Sequence, residues 1–153
     1  MIMDTTLTTR IRNGIFILIA TGALFGVLFA CSRGHEMVLI GGTTPIAVSL
    51  AETPEARQQG LSDTPSLTPN TGKLFIFNTP GKYGFWMKDM HYALDLIWID
   101  STLKVVGVTS TVGPETYPQT FYPPTDVLYV LEINAGEAPM LGLVVGTQLS
   151  LQK

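Results

Sequence analysis

At 153 residues with a net charge of −3, the chain has room for one domain behind a leader, and no basic run marks it as a partner of nucleic acid. Its single cysteine, Cys31, excludes an internal disulfide, and two histidines, His35 and His91, provide too few nitrogen and sulfur ligands for zinc. No glycine-rich phosphate loop is present, and no Ser-His-Asp or Cys-His constellation can be assembled, so no cofactor, metal or nucleophilic site is expected.

Arg10 and Arg12 precede an uncharged apolar stretch from Gly14 to Ala30. Positive charge before such a stretch keeps the N-terminus inside and sends the following chain across a membrane. The run ends in Leu28-Phe29-Ala30-Cys31, which resembles a bacterial lipoprotein box with Cys31 as the lipidated residue. The length falls between a signal core and a comfortable span, so lipidation and an uncleaved anchor both remain open. Residues 1–30 are read as signal, lipoprotein leader or membrane anchor, 31–44 as a tether, and 45–153 as one mainly β domain. Both alternatives place that domain outside the cytoplasm, on the periplasmic or cell-surface face.

Met37–Ile40 suits a short first strand, and Ile46–Ala51, opened by Pro45, a second. Thr53-Pro54-Glu55 has the residues for an N-cap, a first helical position and a favourable dipole contact, with Gly60 to end a short helix. Ser62–Gly72 is a loop of turn-forming residues. Lys73–Phe77 reads as an aromatic strand, Thr79-Pro80-Gly81 as a turn, and Phe85–Met87 as the start of another strand. Leu94–Ile99 is apolar almost throughout, as expected where both faces are covered. A turn at Asp100-Ser101-Thr102 leads into a strand over Lys104–Thr109. Thr111–Thr125 is a long proline- and aromatic-rich loop, a length that is uncommon unless it serves a function or lacks order. Val127–Ile133 is a strong strand, Glu137–Leu141 a helical turn, and Val144–Leu151 a closing strand. About seven strands with two short helices predict a small compact barrel or two packed sheets.

The order of motifs is specific. Glu52-Thr53-Pro54-Glu55-Ala56-Arg57-Gln58-Gln59-Gly60-Leu61 is followed by Leu74-Phe75-Ile76-Phe77, Phe85-Trp86-Met87-Lys88-Asp89-Met90 and Leu94-Asp95-Leu96-Ile97-Trp98-Ile99-Asp100. Tyr129-Val130-Leu131-Glu132-Ile133-Asn134-Ala135-Gly136 and Leu141-Gly142-Leu143-Val144-Val145-Gly146 complete it. Over Ile46–Leu151 the chain resembles the bacterial and archaeal family called domain of unknown function 192. The resemblance implies a compact, mainly β fold, often exported, and implies no activity. Ser62, Ala93 and Gln148 depart from the residues usual in that family.

Four charged residues stand among apolar neighbours: Arg57, Lys88, Asp95 and Glu132. Alternation puts Asp95 on a face with Ile97 and Ile99, and Glu132 on a face with Leu128 and Val130. A carboxylate on an apolar face is costly unless paired or hydrogen-bonded. Two readings follow: Arg57 and Lys88 pair with the acids to fix register, or the four line a pocket walled by Trp86, Tyr117 and Tyr122. The leading functional expectation is a non-catalytic, membrane-anchored module that binds a small ligand or an envelope protein. An envelope hydrolase of glycosidase type using Asp95 and Glu132 is the enzymatic alternative. A purely structural accessory protein of the cell envelope is the third.

Overall fold

The computed structural model describes residues 36–152. The apolar leader, Cys31 and the start of the tether lie outside the described residues. Among the described residues no helix is long and apolar enough to cross a membrane.

The run Leu94–Ile99 forms strand β4, and all six of its residues are buried. Leu94, Leu96 and Trp98 point into one apolar core, while Ile97 and Ile99 point into a second on the opposite face. Around it stand β1 (Glu36–Ile40), β2 (Ile46–Ala51), β3 (Thr71–Gly81), β5 (Val105–Val112), β6 (Val127–Asn134) and β7 (Ser150–Gln152). Helix α1 (Pro54–Gln59) joins β2 to β3, and α2 (Glu137–Met140) follows β6. The seven strands make one sheet in the order β5-β4-β6-β3-β2-β1-β7. Only β2 and β3 run parallel, because the α1 crossover returns the chain in the same direction. The mainly β class and the strand count agree with the sequence reading.

The sheet is not closed into a barrel. Its two edges meet at an isolated Lys104–Gln148 bridge, flanked by backbone bonds from Val105 N–H to Thr147 O (2.9 Å) and Leu149 N–H to Leu103 O (2.8 Å). The expected closing strand over Val144–Leu151 is therefore reduced to Ser150–Gln152. Thr147 is the cause: its Oγ1 donates to Gly142 O and accepts from Val144 N–H, which winds the preceding residues into a turn.

Two further expectations change. Thr79-Pro80-Gly81 does not turn the chain but continues β3 across a register shift between Ile76 and Gly81, an irregularity that accommodates Pro80 without a ladder donor. Phe85–Met87 is not a strand. Phe85 alone pairs, with Phe121, and the 82–93 segment covers the core of Leu94, Leu96 and Trp98, burying Met87 beside Leu61. Local capping is as read: Thr53 Oγ1 accepts from Ala56 N–H at 3.1 Å, and Asp100 Oδ1 organises its turn by accepting from Thr102 and Lys104 N–H.

Candidate functional site: an aromatic cleft over a buried carboxyl

Asp95 is fully buried on the face of Ile97 and Ile99, and its partners are backbone amides rather than cations. Oδ1 accepts from Thr111 N–H at 2.8 Å, and Oδ2 accepts from Gly136 N–H at 2.9 Å and Ala138 N–H at 3.0 Å. One carboxylate thus pins the end of β5 to the first turn of α2. Three donors satisfy a buried carboxylate without an ion pair.

The expected pairing of Arg57 and Lys88 with the acids does not form. Lys88 is more than half exposed and stands 4.0 Å from Asp89. Arg57 points its Nη1 at two carbonyls, Glu52 O and Ile76 O, the second at 2.9 Å, and lays its guanidinium 5.3 Å from the centre of the Phe77 ring. A single guanidinium nitrogen with two N–H groups, on a plane that can lie against a ring, suits this clamp of α1 on β3.

Glu132 takes the other path. Its strand neighbours are Lys73 on β3 and Leu96 on β4, so it points into the core that contains Leu96 and Phe75. It is 6% exposed, and its Oε2 has no hydrogen-bond partner. Burial pushes its carboxyl up to about 8 from an ordinary 4.5, and the Lys73 ammonium offsets part of that rise. The geometry agrees: no cation lies within salt-bridge distance of Glu132 among the described residues.

Above Glu132 opens a cleft of about 250 Å³ between α1, β3 and the 82–93 segment. Phe75, Phe77, Phe85 and Trp86 supply its apolar walls, and Arg57 and Glu132 its charged groups. Phe77 stacks on Tyr83 with 3.6 Å between ring centres, and Phe85 meets Phe75 and Trp98 edge to face. These contacts fix the rings before any ligand arrives. Gly60 (φ 52°) ends α1 where a Cβ would stand 3.3 Å from the Phe75 ring, so a side chain there would close the cleft. Trp86, 56% exposed, separates this cleft from a more polar neighbour of about 320 Å³ that includes Glu55, Gln58, Lys88 and Asp89.

The sequence-derived candidates therefore divide. Arg57, Trp86 and Glu132 meet in one cleft, and Lys88 lines the adjoining one. Asp95 belongs to the opposite face of the sheet. Tyr117 and Tyr122 are exposed and line neither cleft. Tyr122 instead braces the wall from outside, since a Cβ on Gly84 would meet its ring at 2.9 Å. Phe75, Phe77, Tyr83 and Phe85 were not singled out as site residues, because aromatic residues in strand-like runs read as core. Their crowding against a helix-ending glycine is the signal that points to a cleft. Among the described residues no cluster of three or more His, Cys, Asp or Glu side chains is placed to hold a metal.

Fold and site together define a small mainly β domain with an open mixed sheet and a charged, aromatic cleft on the face of Leu94, Leu96 and Trp98. The family model of domain of unknown function 192, an uncharacterized group, matches residues 37–151, and the chain belongs to that family. It is similar to a solved structure from Sinorhizobium meliloti 1021 described as a candidate transcription regulator, at 29% identity and a TM-score of 0.70, over 75% of this chain and 92% of that one. It is also similar to a protein of unknown function from Novosphingobium aromaticivorans, at 26% identity and a TM-score of 0.68, over 75% of this chain and 83% of that one. No protein of curated function matches the chain significantly.

Proposed function

We propose that this protein is a non-catalytic binding module that takes a small ligand into the cleft above Glu132. The observation that carries this reading is the Glu132 Oε2 atom, buried without a partner beneath a rigid aromatic wall. A buried polar oxygen lacking a donor costs roughly 1–3 kcal/mol. Glu132 also lines a space that a ligand can enter, and such a convergence of apolar walls with a few polar groups is what small-molecule sites share.

The hydrolase alternative loses support from the sheet itself, since Asp95 and Glu132 point to opposite faces and cannot flank one glycosidic bond. Regulation through nucleic acid is not carried over from the Sinorhizobium neighbour, because a net charge of −3 without a basic run offers no footprint for phosphates. The arginines before the apolar stretch and Cys31 at its end support attachment to the outer face of a membrane.

Thermal-shift screening of the full chain in detergent against a small-molecule library tests the binding reading. Compounds are expected to raise the wild-type Tm saturably and to lose that effect in Trp86→Ala. A screen with no saturable compound, or compounds equally effective on Trp86→Ala, overturns it and favours a structural accessory role.

A further inference from the structure

We propose that the surface carrying Trp86 and Tyr122 rests on the lipid to which the N-terminal segment attaches the chain. This second contact, made by the folded domain itself, rests on the attachment reading above. Phe85 and Phe121 exchange both backbone hydrogen bonds, at 2.9 and 2.8 Å, so residues 84–86 and 120–122 run side by side as a short antiparallel ribbon. Directly opposed side chains in such a pair share a face, and their chain neighbours take the other. Phe85 and Phe121 pack against the core of Leu94, Leu96 and Trp98. Gly84, Trp86, Thr120 and Tyr122 therefore turn outward, and the two large rings are 56% and 60% exposed. A Cβ on Gly84 would meet both Thr120 and the Tyr122 ring, so the glycine gives that ring its seat on the ribbon.

An indole and a phenol each join an apolar body to one polar group, and such rings settle at the boundary between lipid and water. On the attachment reading that boundary is always within reach. The chain from Cys31, where the apolar run ends, to Glu36, where β1 begins, extends at most about 18 Å. Glu36 stands opposite Ser49, near the end of β2, so the chain enters the domain at the end of the sheet from which α1 departs. Trp86 borders the same helix, lining a hollow with Glu55, Gln58 and Gln59.

Two rings would hold a free domain on a bilayer only weakly. A short tether turns the contact into an intramolecular step at an effective concentration of about millimolar, and weak contact then suffices. A soluble partner would have to find this face by diffusion, whereas the lipid is held beside it. Charge adds little, since Lys88 is offset by Asp89 at 4.0 Å.

The test uses the full chain reconstituted in vesicles of phosphatidylethanolamine and phosphatidylglycerol, with and without lipid that carries a doxyl quencher high on its acyl chain. The chain has two tryptophans and Trp98 is buried, so the difference between wild type and Trp86→Phe reports Trp86. Doxyl lipid is expected to remove roughly half of the Trp86 emission, and added salt to leave that loss unchanged. Tyr122→Ser keeps the probe and is expected to reduce the loss at least about twofold, with a Tm well above the assay temperature showing that it is folded. Trp86 emission untouched by doxyl lipid, in chain that floats with the vesicles, overturns the lipid contact alone and leaves attachment standing; a protein partner or a second copy then covers the ribbon. Quenching that Tyr122→Ser leaves unchanged overturns it as well, because the tether alone would then account for the proximity. A chain that does not float with the vesicles overturns both readings.

Discussion

Asp95 and Glu132 lie on adjacent strands, yet they face opposite sides of the sheet: Asp95 stands opposite Ile133, and Glu132 opposite Leu96. Both are buried, and their fates differ. Asp95 is met by three backbone N–H groups, whereas Glu132 Oε2 is met by none. The first carboxyl is retained for folding. The second lies beneath a cleft and has no folding role visible in its contacts.

Substituting each acid by its amide separates the two roles. Asp95→Asn places an amide N–H₂ against backbone donors and is expected to destabilise the fold by about 2–4 kcal/mol. Glu132→Gln leaves the urea midpoint equal to wild type or raises it, because no bond is lost. A large loss in Glu132→Gln would mean that the side chain is structural after all.

Stability should also depend on pH through Glu132. Its carboxyl binds a proton more tightly folded, near 8, than unfolded, near 4.5. Between these values the native state holds the extra proton, so unfolding releases it and stability falls as pH rises through that window. The total is on the order of a few kcal/mol, with a plateau above about pH 8. Urea midpoints measured at several pH values should show this slope in wild type and its loss in Glu132→Gln.

Arg57 joins α1 to β3 through two carbonyls and a ring face. Arg57→Lys keeps the charge but loses the flat guanidinium that lies over Phe77 while Nη1 holds both carbonyls, and is expected to cost about 1–2 kcal/mol. Faster amide hydrogen exchange confined to residues 52–60 would accompany it. Exchange unchanged in α1 would contradict the clamp.

Attachment is testable apart from the domain. Wild type is expected to fractionate with membranes and to expose a C-terminal reporter on the outer face. Loss of labelled palmitate in Cys31→Ser would assign lipidation. Membrane retention without label in wild type would assign an uncleaved span over residues 14–30.

Much of the fold was legible because local signals and tertiary context agree. Thr53, Pro54 and Gly60 bound α1 as their chemistry dictates, and the unbroken apolar run of β4 reflects burial on both faces. Where they disagree, pattern misled. Phe85-Trp86-Met87 has strand composition, but its neighbour is a loop and only Phe85 pairs. Val144 and Val145 favour a strand, yet Thr147 bonds the backbone locally and leaves both exposed. For the site, alternation placed Asp95 and Glu132 on apolar faces correctly. It could not show that backbone amides, rather than Arg57 or Lys88, would satisfy Asp95, because those donors come from residues 111, 136 and 138, distant in sequence.

The most direct test of the central claim is the titration of the Glu132 carboxyl by ¹³C NMR in the full chain, its resonance assigned through Glu132→Gln. A midpoint near 8 is the predicted result, since burial without a partner disfavours the ionised form. A midpoint near 4.5 would contradict the buried, unpartnered carboxyl on which the binding reading rests.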